Sequence, residues 1–98
     1  MTNVIDTCPH VNQIKIVANR DEIQGCEDCL KIGSTWVHLR MCLTCGHVGC
    51  CDSSVHKHAR QHFEATQHVI IQSVEPGEKW AFCYIDEAFM REPPAPAS

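Results

Sequence analysis

Two Cys-x-x-Cys pairs, Cys26/Cys29 and Cys42/Cys45, start sixteen residues apart. A CxxC turn offers two thiolates to one tetrahedral zinc ion, so each pair is half of a metal site. A redox dithiol would need a thioredoxin-like βαβ context, which the sequence lacks. Cys8-Pro9-His10 supplies a third, weaker pair, and Cys50, Cys51 and Cys83 add further thiols. The imidazoles of His56, His58, His62 and His68 follow the second pair closely. Eight cysteines and seven histidines stand among 98 residues. Cysteine alone at that density would suggest disulfides, whereas cysteine with histidine is the donor mixture that zinc prefers.

His58 and His62 are spaced i, i+4 and share a helix face. That spacing suits one shared metal, but it does not force one, because adjacent turns can serve two neighbouring ions. His56 lies about 200° around a helix from His58, so these two should not share a site.

The elements that must position these donors are short. Thr35–Met41 alternates apolar and polar residues and reads as a strand. Cys42–Cys50 reads as a knuckle whose Gly46 and Gly49 supply tight turns. Ser53 or Ser54 is a candidate N-cap for a helix over Val55–Ala65. Gln67–Val74 is the clearest β run, Pro76-Gly77 is a turn signal, and Trp80–Ile85 is an aromatic strand. A helical turn is expected at Asp86–Met90. The expected fold class is α+β: a small zinc-stabilised domain with a few antiparallel strands and one main helix. Residues 1–7 are assigned to a flexible N-terminus, 8–90 to the domain, and 91–98 to a disordered Pro/Ala/Ser tail.

A single domain of this size buries little apolar surface and usually needs a staple. The thiols fit a metal staple in a reducing compartment. MTNVIDTCPH has neither a basic n-region nor an apolar h-region, and no stretch approaches a membrane span, so a cytoplasmic protein with no membrane contact is expected. The net charge of −4 and pI near 5.9 give no basic face for nucleic acid. Lys57 and Arg60 read as a solvated helix face. A monomer is expected.

Taken jointly, Cys8-Pro9-His10, Cys26-Glu27-Asp28-Cys29, Trp36, Cys42-Leu43-Thr44-Cys45 with Cys50, His58-Ala59-Arg60-Gln61-His62 with His68, and Cys83-Tyr84 resemble the UBP-type zinc finger. That finger is the ubiquitin-binding module of several deubiquitinases and of a cytoplasmic histone deacetylase. The resemblance covers about Cys8 to Phe89. Glu75-Pro76-Gly77-Glu78, Trp80 and Cys83-Tyr84-Ile85-Asp86-Glu87 look most like free-standing bacterial members. The resemblance implies one zinc held by Cys26, Cys29, Cys50 and His58, and a second held by Cys42, Cys45, His62 and His68. In three-zinc members a third site uses the equivalents of Cys8, His10 and Cys83 and a cysteine three residues further on. Here that last residue is Asp86, and a carboxylate is an acceptable zinc ligand. Cys51 reads as a spare thiol beside a ligand, and His38, His47 and His56 as ordinary histidines.

Sites closed by four protein ligands are structural. The sequence has no HExxH, no serine elbow and no phosphate loop, so an enzyme is not expected. A zinc hydrolase using Asp86 as a base and a thiol sensor using Cys51 are the outlying alternatives. The resemblance implies a pocket that captures the C-terminal Gly-Gly of ubiquitin, with an arginine after the knuckle cysteine gripping the carboxylate. Trp36, Phe82, Tyr84 and Phe89 stand where pocket walls are expected. The arginine is replaced: the chain reads Cys50-Cys51-Asp52. An aspartate would repel a carboxylate and suit a basic or amide-bearing protein or peptide. Tail recognition would then need Arg40 or Lys57 in place of the lost arginine.

Overall fold

The computed structural model describes residues 3–5, 10–17 and 23–93. Six short strands form one sheet: β1 (Asn3–Ile5), β2 (Leu39–Cys42), β3 (Val48–Cys50), β4 (Ile70–Ser73), β5 (Ala81–Cys83) and β6 (Ala88–Met90). Their spatial order is β1-β6-β5-β4-β2-β3, antiparallel throughout except for the parallel pair β1 and β6. Helices α1 (Glu27–Ile32) and α2 (His58–Thr66) pack on β3. This is the α+β arrangement with one main helix that the sequence suggests.

Several elements differ from the sequence reading, each for a local reason. The segment after Cys26, for which the sequence reading named no regular element, forms a helix of under two turns. Cys26 Sγ accepts from the Cys29 amide as an N-cap, Glu27 and Asp28 fill the acidic first turn, and Gly33 closes the helix at φ 68. Helix α2 starts at His58, later than expected, behind Lys57 in the left-handed region. Ser54 does not cap it, because its Oγ accepts from the Val37 amide at 2.8 Å. Asp86–Met90 does not form a helical turn. Its second half is β6, which lies in register on β5 through Ala81↔Met90 and Phe82↔Phe89. Asn3–Ile5, placed outside the domain by the sequence reading, pairs with β6 through Asn3↔Ala88 and Ile5↔Met90. A strand edge with free amides and carbonyls accepts such a partner.

The two faces of the β5–β6 hairpin separate two roles. Ala81, Cys83, Ala88 and Met90 face inward and are buried. Of these, Ala81, Cys83 and Met90 join Ile14, Leu43, Val69 and Ile70 in the main core, which α2 closes through Phe63. Trp80, Phe82 and Tyr84 alternate with them and place their rings on the opposite face, as the period of two requires. Each fully buried Ile or Met stabilises by about 1.5–3 kcal/mol. So small a core leaves much of the work to the cysteine clusters.

Candidate metal centres and an aromatic cavity

Three groups of donors converge, and in each the ligand atoms lie within 4.8 Å of one another. The first is Cys26, Cys29, Cys50 and His58. Sγ of Cys26 and of Cys29 are each 3.3 Å from His58 Nδ1, Cys50 Sγ is 3.5 Å from it, and Cys29 and Cys50 Sγ are 3.9 Å apart. Zn–S of about 2.3 Å and Zn–N of about 2.0–2.1 Å at tetrahedral angles give edges of about 3.8 Å for S···S and about 3.6 Å for S···N. The observed separations therefore match the edges of a zinc tetrahedron. The His58 amide donates to Cys50 Sγ at 3.2 Å, which orients that sulfur. Burial, with Cys26 and Cys50 alongside, pushes the Cys29 thiol up to about 12. A thiolate cluster at neutral pH therefore needs a cation at its centre.

The second group is Cys42, Cys45, His62 and His68. Cys42 Sγ is 3.6 Å from His68 Nδ1, and Cys45 Sγ is 3.3 Å from His62 Nε2. His58 and His62 thus turn to different centres from one helix face, one through Nδ1 and the other through Nε2. The i, i+4 spacing had left that choice open. Gln67, left-handed at φ 62, ends α2 and swings His68 back toward the knuckle.

The third group joins His10, Cys83 and Asp86. His10 Nδ1 is 3.3 Å from Asp86 Oδ2, and Cys83 Sγ is 3.5 Å from each of those atoms. Cys8, the remaining expected ligand, lies outside the described residues. All three donor sets fit zinc by chemistry and by spacing. Cys50 rather than Cys51 enters the first centre. Cys51 Sγ sits 3.6 Å from Ser54 Oγ and 4.0 Å from His38 Nδ1. Burial acts to raise its pKa, but hydrogen bonds from Ser54, the Ser53 amide and His38 outweigh that and bring it down to about 7.

On the far side of the hairpin, Arg40, Cys51, Asp52, Trp80, Phe82, Tyr84 and Phe89 line most of a cavity of about 200 Å³. Of the residues expected at a pocket, Asp52, Phe82, Tyr84 and Phe89 line this cavity. Trp36 does not: its ring packs on the first cysteine cluster and against Gly25, where a Cβ would meet it at 2.4 Å. The sequence reading missed Trp80, although its i, i+2 spacing from Phe82 and Tyr84 carried the signal. Asp52 is not a free carboxylate. Arg60 Nε and NH2 donate to it at 2.7–3.1 Å, and the Arg60 guanidinium lies 5.0 Å over the Tyr84 ring. Arg40 lies 4.6 Å over Trp80 and is held through NH1 by the Leu39 carbonyl and Ser73 Oγ.

Comparison with known proteins agrees with this geometry. The chain is 52% identical to protein RPA1320 of Rhodopseudomonas palustris, whose solution NMR structure superposes with a TM-score of 0.75 over 94% of each chain. It is 33% identical to the NAD-dependent deacetylase sir2A of Dictyostelium discoideum over 91% of its own length, but spans 15% of that protein. It is 35% identical to the human and mouse BRCA1-associated protein over 78% of its own length, spanning 12% of those chains. The family model for the Zn-finger in ubiquitin-hydrolases and other proteins matches residues 26–95, and with the Cys/His clusters this places the chain in the UBP-type zinc-finger family.

Proposed function

We propose that this domain is a structural-zinc interaction module that holds the free carboxyl end of an extended protein or peptide in its aromatic cavity. The observation that carries this is Arg40. Its guanidinium is fixed on Trp80 at the cavity wall, and its Nε and NH2 groups have no acceptor among the described residues. A guanidinium pinned on one edge and open on the other is preorganised for a carboxylate. The Asp52–Arg60 fork removes the reason to expect repulsion, and with it the reason to expect a basic partner. A tail with small terminal residues, such as Gly-Gly, suits a cavity of about 200 Å³.

An NMR titration with a peptide ending in Gly-Gly tests this, with an amidated copy as control. The free acid should shift Arg40, Trp80 and Tyr84, and the amide should not. Arg40→Ala should weaken binding about 10- to 100-fold, the loss of charge-assisted hydrogen bonds worth about 1.5–3 kcal/mol. Absence of shifts with either peptide would rule the reading out.

We propose three zinc ions per chain, one for each donor group, with the first two in purely structural roles. The first two groups each present four protein donors, which leaves no open position for substrate. The third uses a carboxylate that is 32% exposed. Asp86→Ala should therefore lower the zinc content from three to two while the amide spectrum keeps its dispersion. Native mass spectrometry reads both forms directly. Three retained zincs would mean that Asp86 is not a ligand.

A further inference from the structure

His47 is not a member of any donor group, yet it touches the machinery of two. Its Nε2 lies 2.8 Å from Asp28 Oδ2, and its Nδ1 lies 3.8 Å from Glu27 Oε1. Both carboxylates sit in the turn between Cys26 and Cys29 that forms half of the first centre. On its other side the imidazole stacks on His62, a donor of the second centre, with centroids 4.6 Å apart and planes at 9°. The His47 carbonyl accepts from the Cys42 amide at 2.8 Å, and the Val48 amide donates to Glu27 Oε2 at 2.7 Å. The backbone around His47 is therefore tied to the second centre's knuckle and to the first centre's turn at once.

Ordering that Cys26–Cys29 turn fixes Asp28. Asp28 fixes the plane of His47, and His47 fixes the plane of His62. Groups that orient a metal ligand from outside commonly change metal affinity by about 10- to 100-fold. From this arrangement we infer that His47 is a positioning residue that couples the two metal centres, so that filling the first raises the affinity of the second. The coupling runs through the Asp28–His47 hydrogen bond and the His47–His62 stack. It is independent of what the aromatic cavity binds.

Cadmium NMR of the fully Cd²⁺-loaded protein, brought through chelator buffers of falling free Cd²⁺, tests the inference, because the three-thiolate first centre and the two-thiolate, two-imidazole second centre resonate apart from each other and from the carboxylate-bearing third. At half-saturation of these two centres the wild-type protein should show their two resonances at equal intensity, whatever the occupancy of the third. Asp28→Ala, at a half-exposed position, removes the bond and leaves the stack. It should fill the three-thiolate centre first, with the second lagging by about 10- to 100-fold in Cd²⁺ concentration. His47→Phe keeps a ring against His62 but cannot bond Asp28, and should lag in the same way. Asp28→Asn, which keeps an acceptor oxygen, should restore joint filling. A purely structural role would lower the affinity of both centres together without changing their order. Joint filling in Asp28→Ala or His47→Phe, or sequential filling in the wild type, would overturn the coupling.

Discussion

Cys29→Ser should leave the chain largely unfolded even with zinc in excess. Cys29 is fully buried, and its sulfur is one of three that meet His58 Nδ1. The centre it completes ties α1, β3 and α2 together, and outside that cluster the packing behind it amounts to Trp36 and Leu39. A structural zinc contributes on the order of 10 kcal/mol to folding. The whole stability of a small domain is about 5–15 kcal/mol. Loss of one thiolate therefore removes an amount comparable to the total. The expected result is collapsed amide dispersion, no cooperative melt, and a lower zinc content by mass spectrometry. Cys51→Ser is the control. Cys51 is also buried and directly follows the donor Cys50, but its sulfur contacts Ser54 and His38 rather than the metal donors. It should melt within a few degrees of the wild type, because a change of about 1 kcal/mol moves Tm by about 4–8 °C in a domain of this size. A native-like spectrum for Cys29→Ser would mean that the centre is not needed for folding.

The contrast between Cys50 and Cys51 shows what the sequence could and could not say. Adjacent cysteines after a knuckle are equivalent by type, and residue-level chemistry alone cannot choose between them. Resemblance to a known pattern chose Cys50, and β3 explains why. Side chains alternate along the strand, so only one of the two sulfurs can face the helices. The donors were legible because zinc demands particular atoms in short-range pairs. The split of His58 and His62 was not legible from spacing, since one helix face can serve one ion or two. The pairing of Asp52 was not legible for a related reason. A sequence shows the carboxylate, but it does not show that Arg60, eight residues on in the first turn of α2, reaches back to pair with it. Trp80, Phe82 and Tyr84 were the opposite case, because strict alternation is visible in the string WAFCYI. Strand ends were legible only to within a few residues. Short strands in this domain are set by pairing to distant partners such as Arg40↔Ser73 and Ile71↔Phe82, not by local propensity.

Gly49→Ala should be nearly as damaging as loss of a ligand, although it adds one methyl group. The sequence reading took Gly49 as a turn residue, like Gly46, which has φ 83. Gly49 lies instead within β3, and its backbone conformation is not in the left-handed region. The constraint is space. A Cβ there would meet the Ala59 amide nitrogen at 2.6 Å and both Ala59 Cα and the His58 carbonyl carbon at 2.9 Å. All three atoms are backbone of the first turn of α2, so no side chain can swing aside. The helix must move off the strand until the contacts reach about 3.5–4.0 Å. That movement carries His58 away from Cys50, the next residue along β3, and opens the first centre. Overpacking alone costs about 1–3 kcal/mol, and displaced metal geometry adds to it. The expected fall in Tm exceeds about 10 °C, and the three-thiolate centre should bind Cd²⁺ more weakly than in the wild type. Gly77→Ala separates this effect from backbone strain. Gly77 is left-handed at φ 79 with nothing within 4 Å of its would-be Cβ, so it should lose only about 1–2 kcal/mol. Thermal melts of the two variants in zinc-saturated buffer decide the matter. If Gly49→Ala melts no lower than Gly77→Ala, α2 does not rest on the β3 backbone, and His58 must be held in place by the metal alone.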